Sequence, residues 1–259
     1  MKQHTKIKKL LKPLVIIACT AALLFLGVYI FTRSEPVPTV VERSPPIIIN
    51  RPIRPSVVLP YIQDGDLILR MSDGSWSRLF ADFSMIDKRF SHIGIVRMRD
   101  DGISMIHSVG SFGNRLMGVE ELSLEHFLAV ANAVGVFRVK SVDGTVISDA
   151  AMQYIDFPFD FNFDLDDYST VYCTELLYRA LQPAGLQHIL STRFLDDTGT
   201  DIIPLEAISN SPDIEEIVYI VRESRQTVQD DQVVLQENPV RTGLLRRLML
   251  LFTRLRQNP

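Results

Sequence analysis

Val171-Tyr172-Cys173-Thr174-Glu175-Leu176-Leu177-Tyr178-Arg179-Ala180-Leu181 is the stretch on which the reading of this chain turns. Leu176, Leu177, Ala180 and Leu181 recur at helical spacing, which predicts a helix with one buried stripe. Ser169 and Thr170 stand just ahead of it as candidate N-caps. With Thr170 as the cap, Cys173 falls in the first turn. Unpaired backbone N–H groups and the helix dipole favour a thiolate there, so the thiol is expected below its ordinary pKa of ~8.5. The competing reading is a small buried hydrophobe, the usual state of a free cysteine.

A cysteine nucleophile needs a base nearby, and the base needs a third group to hold its ring. Two histidines meet that need. Ser91-His92-Ile93-Gly94-Ile95-Val96 reads as a strand, Asp101-Gly102 as a hairpin turn, and Ile103-Ser104-Met105-Ile106-His107 as the returning strand. His92 starts one strand and His107 ends the next, so the two can lie side by side near the open end of the hairpin. His92 is the expected base and His107 the expected orienter.

The rest of the domain follows from turns and periodicity. Asp64-Gly65-Asp66 is a turn before a short buried strand, Leu67-Ile68-Leu69, and residues 75–83 have helical spacing. A short helix is expected over 119–130, a strand over Val134–Val139, a helix capped by Asp143 and running to about Tyr154, a loop-rich stretch over 187–212, and a last strand over Ile217–Val221. Clustered strands flanked by helices make an α+β domain, an antiparallel sheet packed on helices, with bounds near 61–221.

What precedes that domain differs in composition. Leu14 to Phe31 carries no charge, and Lys2, Lys6, Lys8, Lys9 and Lys12 lie before it, with Arg33 after it. Eighteen helical residues span roughly 27 Å, close to the ~30 Å core of a bilayer. Residues 1–32 are therefore expected to be a cytoplasmic basic stub and one transmembrane helix, with the remainder outside the cytoplasm. Pro36, Pro38, Pro45, Pro46, Pro52, Pro55 and Pro60 make residues 33–60 an expected extended tether. The net charge of -4 gives no reason to expect nucleic acid. The two cysteines, Cys19 and Cys173, lie far apart, one of them inside the apolar run, which argues against a disulfide framework.

The motifs also resemble a family. GDLI at 65–68, SHIGIV at 91–96, a polar residue fifteen positions after His92, and YCTELL at 172–177 are similar to the permuted papain-like amidases, the YiiX/YebB-like cysteine hydrolases of the NlpC superfamily. In that permuted group the histidine comes before the cysteine, as here. The resemblance covers roughly residues 60–220 and implies a Cys–His–polar triad of Cys173, His92 and His107 that cleaves an amide without a cofactor. Relatives often carry glutamate where His107 stands; the related lecithin retinol acyltransferase-like proteins carry a second histidine, which keeps a lipid acyltransferase or thioesterase in view. Tyr172 and Thr174, on either side of the cysteine, are expected to bind substrate. A comparable aromatic–Asp element in relatives suggests that Asp160 receives a substrate amine. The resulting expectation is an amidase in the bacterial inner membrane with its catalytic domain in the periplasm, acting on a cell-wall peptide or an aminoacyl conjugate. A non-catalytic tethered binding module is the remaining alternative.

Two patterns point away from metals. Asp160-x-Asn162-x-Asp164-x-Asp166 begins like an EF-hand loop, but Leu165 replaces the glycine and Val171 the glutamate that such a loop needs. There is no short-spaced pair of zinc ligands. Phe157, Phe159, Phe161 and Phe163 alternate with other residues and read as a strand-like lip with one aromatic face. The tail over 222–259 is polar and ends in a basic amphipathic pattern, GLLRRLMLLFTRLR at 243–256, suited to a membrane surface or to docking on protein.

Overall fold

The computed structural model describes residues 43, 45–110, 118–195 and 199–223. Strands β1 (Ile47–Ile49), β2 (Leu67–Ser72), β3 (His92–Arg99), β4 (Gly102–Val109), β5 (Gly118–Ser123), β6 (Ala131–Val139) and β9 (Ile214–Arg222) form one sheet in the order β1-β9-β6-β2-β3-β4-β5. Every neighbouring pair is antiparallel except β1, which runs parallel to β9. A separate two-stranded ribbon is made by β7 (Arg193–Leu195) and β8 (Thr200–Ile202). The helices are α1 (Pro55–Val58), α2 (Ser75–Asp82), α3 (Leu124–Leu128), α4 (Gly144–Met152), α5 (Cys173–Leu181) and α6 (Glu206–Ser209).

Side-chain alternation along the strands divides the core in two. Leu67, Leu69, Ile93, Ile95 and Ile106 pack on one face against Ile147 and Ala151 of α4 and Leu176, Leu177 and Ala180 of α5. Ile68, Val96, Met105, Val134 and Val136 pack on the other face against Val58 of α1 and Leu124, Phe127 and Leu128 of α3. Truncating a fully buried leucine such as Leu177 would cost about 2–5 kcal/mol. Asp143 caps α4 as expected, accepting a hydrogen bond from the Thr145 N–H at 3.0 Å. The α+β class is as expected.

Three boundaries differ from the sequence expectation. Residues 47–60 are not an extended spacer: Ile47–Ile49 pairs with Ile220–Arg222, and Ile53 and Val58 are buried in the second core. Proline density hides this, because only three residues between the prolines join the sheet. The first half of 119–130 is strand β5, paired with β4 from Ser104↔Ser123 to Val109↔Gly118, and only Leu124–Leu128 is helix. The stretch 187–212 holds the β7–β8 ribbon and α6. The apolar run 14–31, most of the tail after Arg222, and the basic amphipathic pattern lie outside the described residues. Among the described residues no helix is long and apolar enough to cross a membrane.

Candidate active site

Cys173 is the first residue of α5. The cap is Tyr172, not Thr170: the Glu175 carboxylate reaches back to accept from the Tyr172 N–H at 3.1 Å, while the hydroxyls of Ser169 and Thr170 donate to Asp167. Three further bonds fix the helix start. Ser108 on β4 donates to the Val171 carbonyl at 2.5 Å, Thr174 donates through Oγ1 to the Ile203 carbonyl at 2.6 Å, and the Ile203 N–H donates to the Tyr172 hydroxyl at 3.0 Å. Arg179, fully buried, bonds to Glu175 and to the Leu165 carbonyl, each at 2.7 Å. Burial pushes the Glu175 carboxyl up to about 7 against the opposing pull of Arg179.

The histidines come from β3 and β4. Their ladder pairs Arg99 with Gly102 and Ile95 with Ile106, which sets His92 and His107 diagonally on one face. His92 Nε2 lies 2.8 Å from His107 Nδ1, with the rings nearly perpendicular at 81°. The Phe127 ring touches both, with centroids at 5.8 and 5.5 Å. Gly94 lies on this face because a Cβ there would come 2.8 Å from the Phe127 ring. His107 Nε2 is 3.3 Å from a Glu120 carboxylate oxygen but off line for a hydrogen bond.

Where the β3–β4 ladder opens, the thiol reaches β3. The N–H groups of Thr174, Ile93 and Cys173 itself face the sulfur. Ile93 directly follows His92, so the helix start and the strand start adjoin. Burial pushes the thiol up to about 11, and those N–H groups together with the Arg70 charge offset it only in part. The expected lowering of the thiol is therefore reversed: the helix terminus acts as foreseen, but loss of solvent outweighs it. Burial first, then Arg70, pushes His107 down to about 3. Burial, Arg70 and His107 hold His92 well below its ordinary value. The resting groups are a neutral thiol and neutral imidazoles.

Arg70 is the residue that sequence reasoning missed. It pairs with His92 across β2–β3, its guanidinium sits 4.4 Å from the Phe127 ring centre, and Nη1 donates to the Phe127 carbonyl at 2.6 Å. Burial pushes it down to about 10. A lone charge inside Leu-Ile-Leu-Arg-Met-Ser was the available signal.

Asp160, the expected amine receptor, lies near enough to Tyr172 and Glu175 to act on them electrostatically, but its carboxylate is engaged by its own loop. Asp160 is 1% exposed, and its two carboxylate oxygens accept from the N–H groups of Asn162 and Asp164, both at 2.7 Å. Phe157 to Phe163 is a loop rather than a strand-like lip. Phe159 is buried, while Phe163, in a left-handed conformation with φ 54°, leans on Tyr172 and Phe83. Among the described residues no three His, Cys, Asp or Glu side chains converge so as to hold a metal. Cys173, Tyr172 and Thr174 do share one wall of a half-open cleft whose cavity volume is about 40 Å³.

Comparison with known proteins bears on the fold and the family. Among solved structures, the crystal structure of metalloprotein YiiX from Escherichia coli O157:H7 superposes with a TM-score of 0.51 at 19% identity, over 61% of this chain and 97% of that one. At that identity the likeness shows a shared fold. No curated protein matches the chain. The model of the family described as "permuted papain-like amidase enzyme, YaeF/YiiX, C92 family" matches residues 61–234, which span strands β2 to β9, both site histidines and Cys173. The chain belongs to that family, and is an enzyme of the cysteine amidase and peptidase type of hydrolase.

Proposed function

We propose that the enzyme cleaves an amide through Cys173, with His92 as its base and His107 as a positioning residue. The observation that carries this is the 2.8 Å contact from His92 Nε2 to His107 Nδ1, beside the strand residue whose N–H faces the sulfur. A consistent set of tautomers follows. His107 keeps its proton on Nε2, toward Glu120, and accepts on Nδ1 from His92 Nε2–H. His92 Nδ1 is then the free base. The carboxylate that relatives often carry at the position of His107 is thus replaced by a histidine with Glu120 nearby.

In the reaction, Cys173 Sγ attacks the carbonyl carbon while its proton passes to His92. The tetrahedral oxyanion is held by the N–H groups at the start of α5. Collapse breaks the C–N bond, and the amine leaves with the proton from His92. Water then attacks the thioester, giving the acid and restoring the thiol. Because the resting groups are neutral, proton transfer accompanies attack. Arg70 favours the anionic sulfur and opposes a charged imidazole.

Cys173→Ala should abolish turnover of any amide substrate with the melting temperature unchanged. Wild-type enzyme quenched in acid should carry a thioester mass on the peptide containing Cys173. Turnover in the alanine variant would refute the scheme. The proposed setting is the bacterial periplasm at the inner membrane, a reading supported by the apolar run 14–31 and its preceding lysines. A cysteine introduced at exposed Asp101 in a Cys173→Ala background should react with an impermeant maleimide in spheroplasts. Labelling only after lysis would overturn that placement.

A further inference from the structure

The cleft beside Cys173 has a chemistry of its own. Its walls are Phe80 and Phe83 from the end of α2, Phe163, Leu195 of β7, and Ile202 and Leu205 around the turn into α6. Among the described residues no charged side chain lines it. The hydroxyls on its wall are already engaged with backbone: Thr174 Oγ1 donates to the Ile203 carbonyl, the Tyr172 hydroxyl accepts from the Ile203 N–H, and Ser91 donates to the Arg70 carbonyl. The walls are also held in place. Glu206 accepts from the N–H groups of Met85, Ile86 and Asp87, tying the loop after α2 to α6, and Arg193 donates to the Phe83 carbonyl.

A cell-wall peptide carries carboxylates and amines, which would lose water in this cleft without gaining a charged partner. A hydrocarbon chain loses nothing there and gains about 0.8 kcal/mol for each methylene buried. Cys173 is part of the cleft wall, so the carbonyl at the head of such a chain can sit beside the thiol. Met85, Ile86 and Phe194 are exposed large apolar side chains on the segments that carry Phe83 and Leu195, which suits a substrate drawn from a lipid phase.

We propose that this cleft is an acyl-chain site, and that the substrate of Cys173 is an amide whose acyl part is an aliphatic chain. The proposal rests on the thiol chemistry above and names its substrate class. The bonds made and broken are those already given; the chain is the group on the carbonyl carbon and departs as a free fatty acid when water resolves the thioester.

The test uses the full-length chain in lipid nanodiscs with p-nitroanilides of acetic, butanoic, hexanoic and octanoic acid, and with a dipeptide p-nitroanilide bearing a free amine and a carboxylate. kcat/KM should rise about threefold to fourfold per methylene until the cleft is full. Leu195→Gln should lower the octanoyl-to-acetyl ratio at least tenfold. In Cys173→Ala, N-methyloctanamide should bind more tightly than N-methylacetamide by calorimetry. Stronger octanamide binding with no thioester on wild-type Cys173 would uphold the cleft and defeat the proposed chemistry. Equal affinity for the two amides, or a Cys173-dependent preference for the dipeptide, would overturn the acyl-chain site while leaving the nucleophile in place.

Discussion

Two regions next to Cys173 are rich in polar side chains, and they differ in what those side chains have left over. In the loop carrying Asp160, Asp164 and Asp167, the carboxylates accept from backbone N–H groups and hydroxyls of the same loop. The His92–His107 pair has few partners: one ring nitrogen on each bonds to the other histidine, an aromatic ring flanks both, and the solvent is largely removed. A dense run of acids here marks a folded turn, and under the proposed scheme two isolated histidines mark the place where a proton moves. The difference lies in capacity that remains unfilled, not in the number of ionisable groups.

The largest expected effect sharpens this contrast. His92→Ala should lower kcat/KM by about 100- to 10,000-fold, the usual worth of a general base, with little change in melting temperature. Asp160→Ala should do the reverse. It strands N–H groups at Asn162 and Asp164, at about 1–3 kcal/mol per unpaired buried group, and should lower the melting temperature by about 5–10 °C while kcat of the folded enzyme stays within about threefold. A kcat loss in Asp160→Ala as large as that in His92→Ala would erase the distinction between the two regions.

A smaller effect appears in the pH dependence. The folded-state pKa of His107 is near 3 against an ordinary 6.5, so the unfolded chain binds the proton first as pH falls. The contribution of His107 to stability is therefore present above about pH 6.5 and is lost progressively toward pH 3. His107→Gln should remove that part of the acid sensitivity and lower kcat by about tenfold, since it alters positioning and not the proton acceptor. With the thiol near 11 and both imidazoles neutral, kcat/KM should stay flat from about pH 5 to 9. A bell centred near pH 7 would instead indicate a thiolate–imidazolium pair.

The sequence carried the parts of the fold that depend on neighbours along the chain. The β3–β4 hairpin, the Asp143 cap and the stripe of α5 depend on local spacing, and all three are found. Cys173 starts α5 and His92 starts β3, as their spacing predicted, whereas His107 lies two residues inside the end of β4. Arg70 was not singled out, since its part depends on facing His92 across a strand pair and on bonding to Phe127, 57 residues along the chain. The sign of the thiol shift was misread because spacing reveals a helix terminus but not how much solvent the fold removes around it. The partners of Asp160 were hidden for a related reason: they are the amides of its own loop, which no side-chain pattern displays. The cleft was invisible because its walls come from residues 80–83, 163, 172–174, 195 and 202–205, which only the fold assembles.

The parallel strand β1 bears on where this domain can be cut. A fragment starting at residue 61, where the family match begins, would retain His92, His107 and Cys173. It would also strip Ile47–Ile49 from β9 and remove Ile53 and Val58 from the second core. The outer N–H and C=O groups of Ile220–Arg222 would then stand unpaired along an apolar strand, a template on which a second molecule can add its own strand. The proline-rich segment thus acts as a guard against self-association, and solubility rather than catalysis is the property that its removal would damage first.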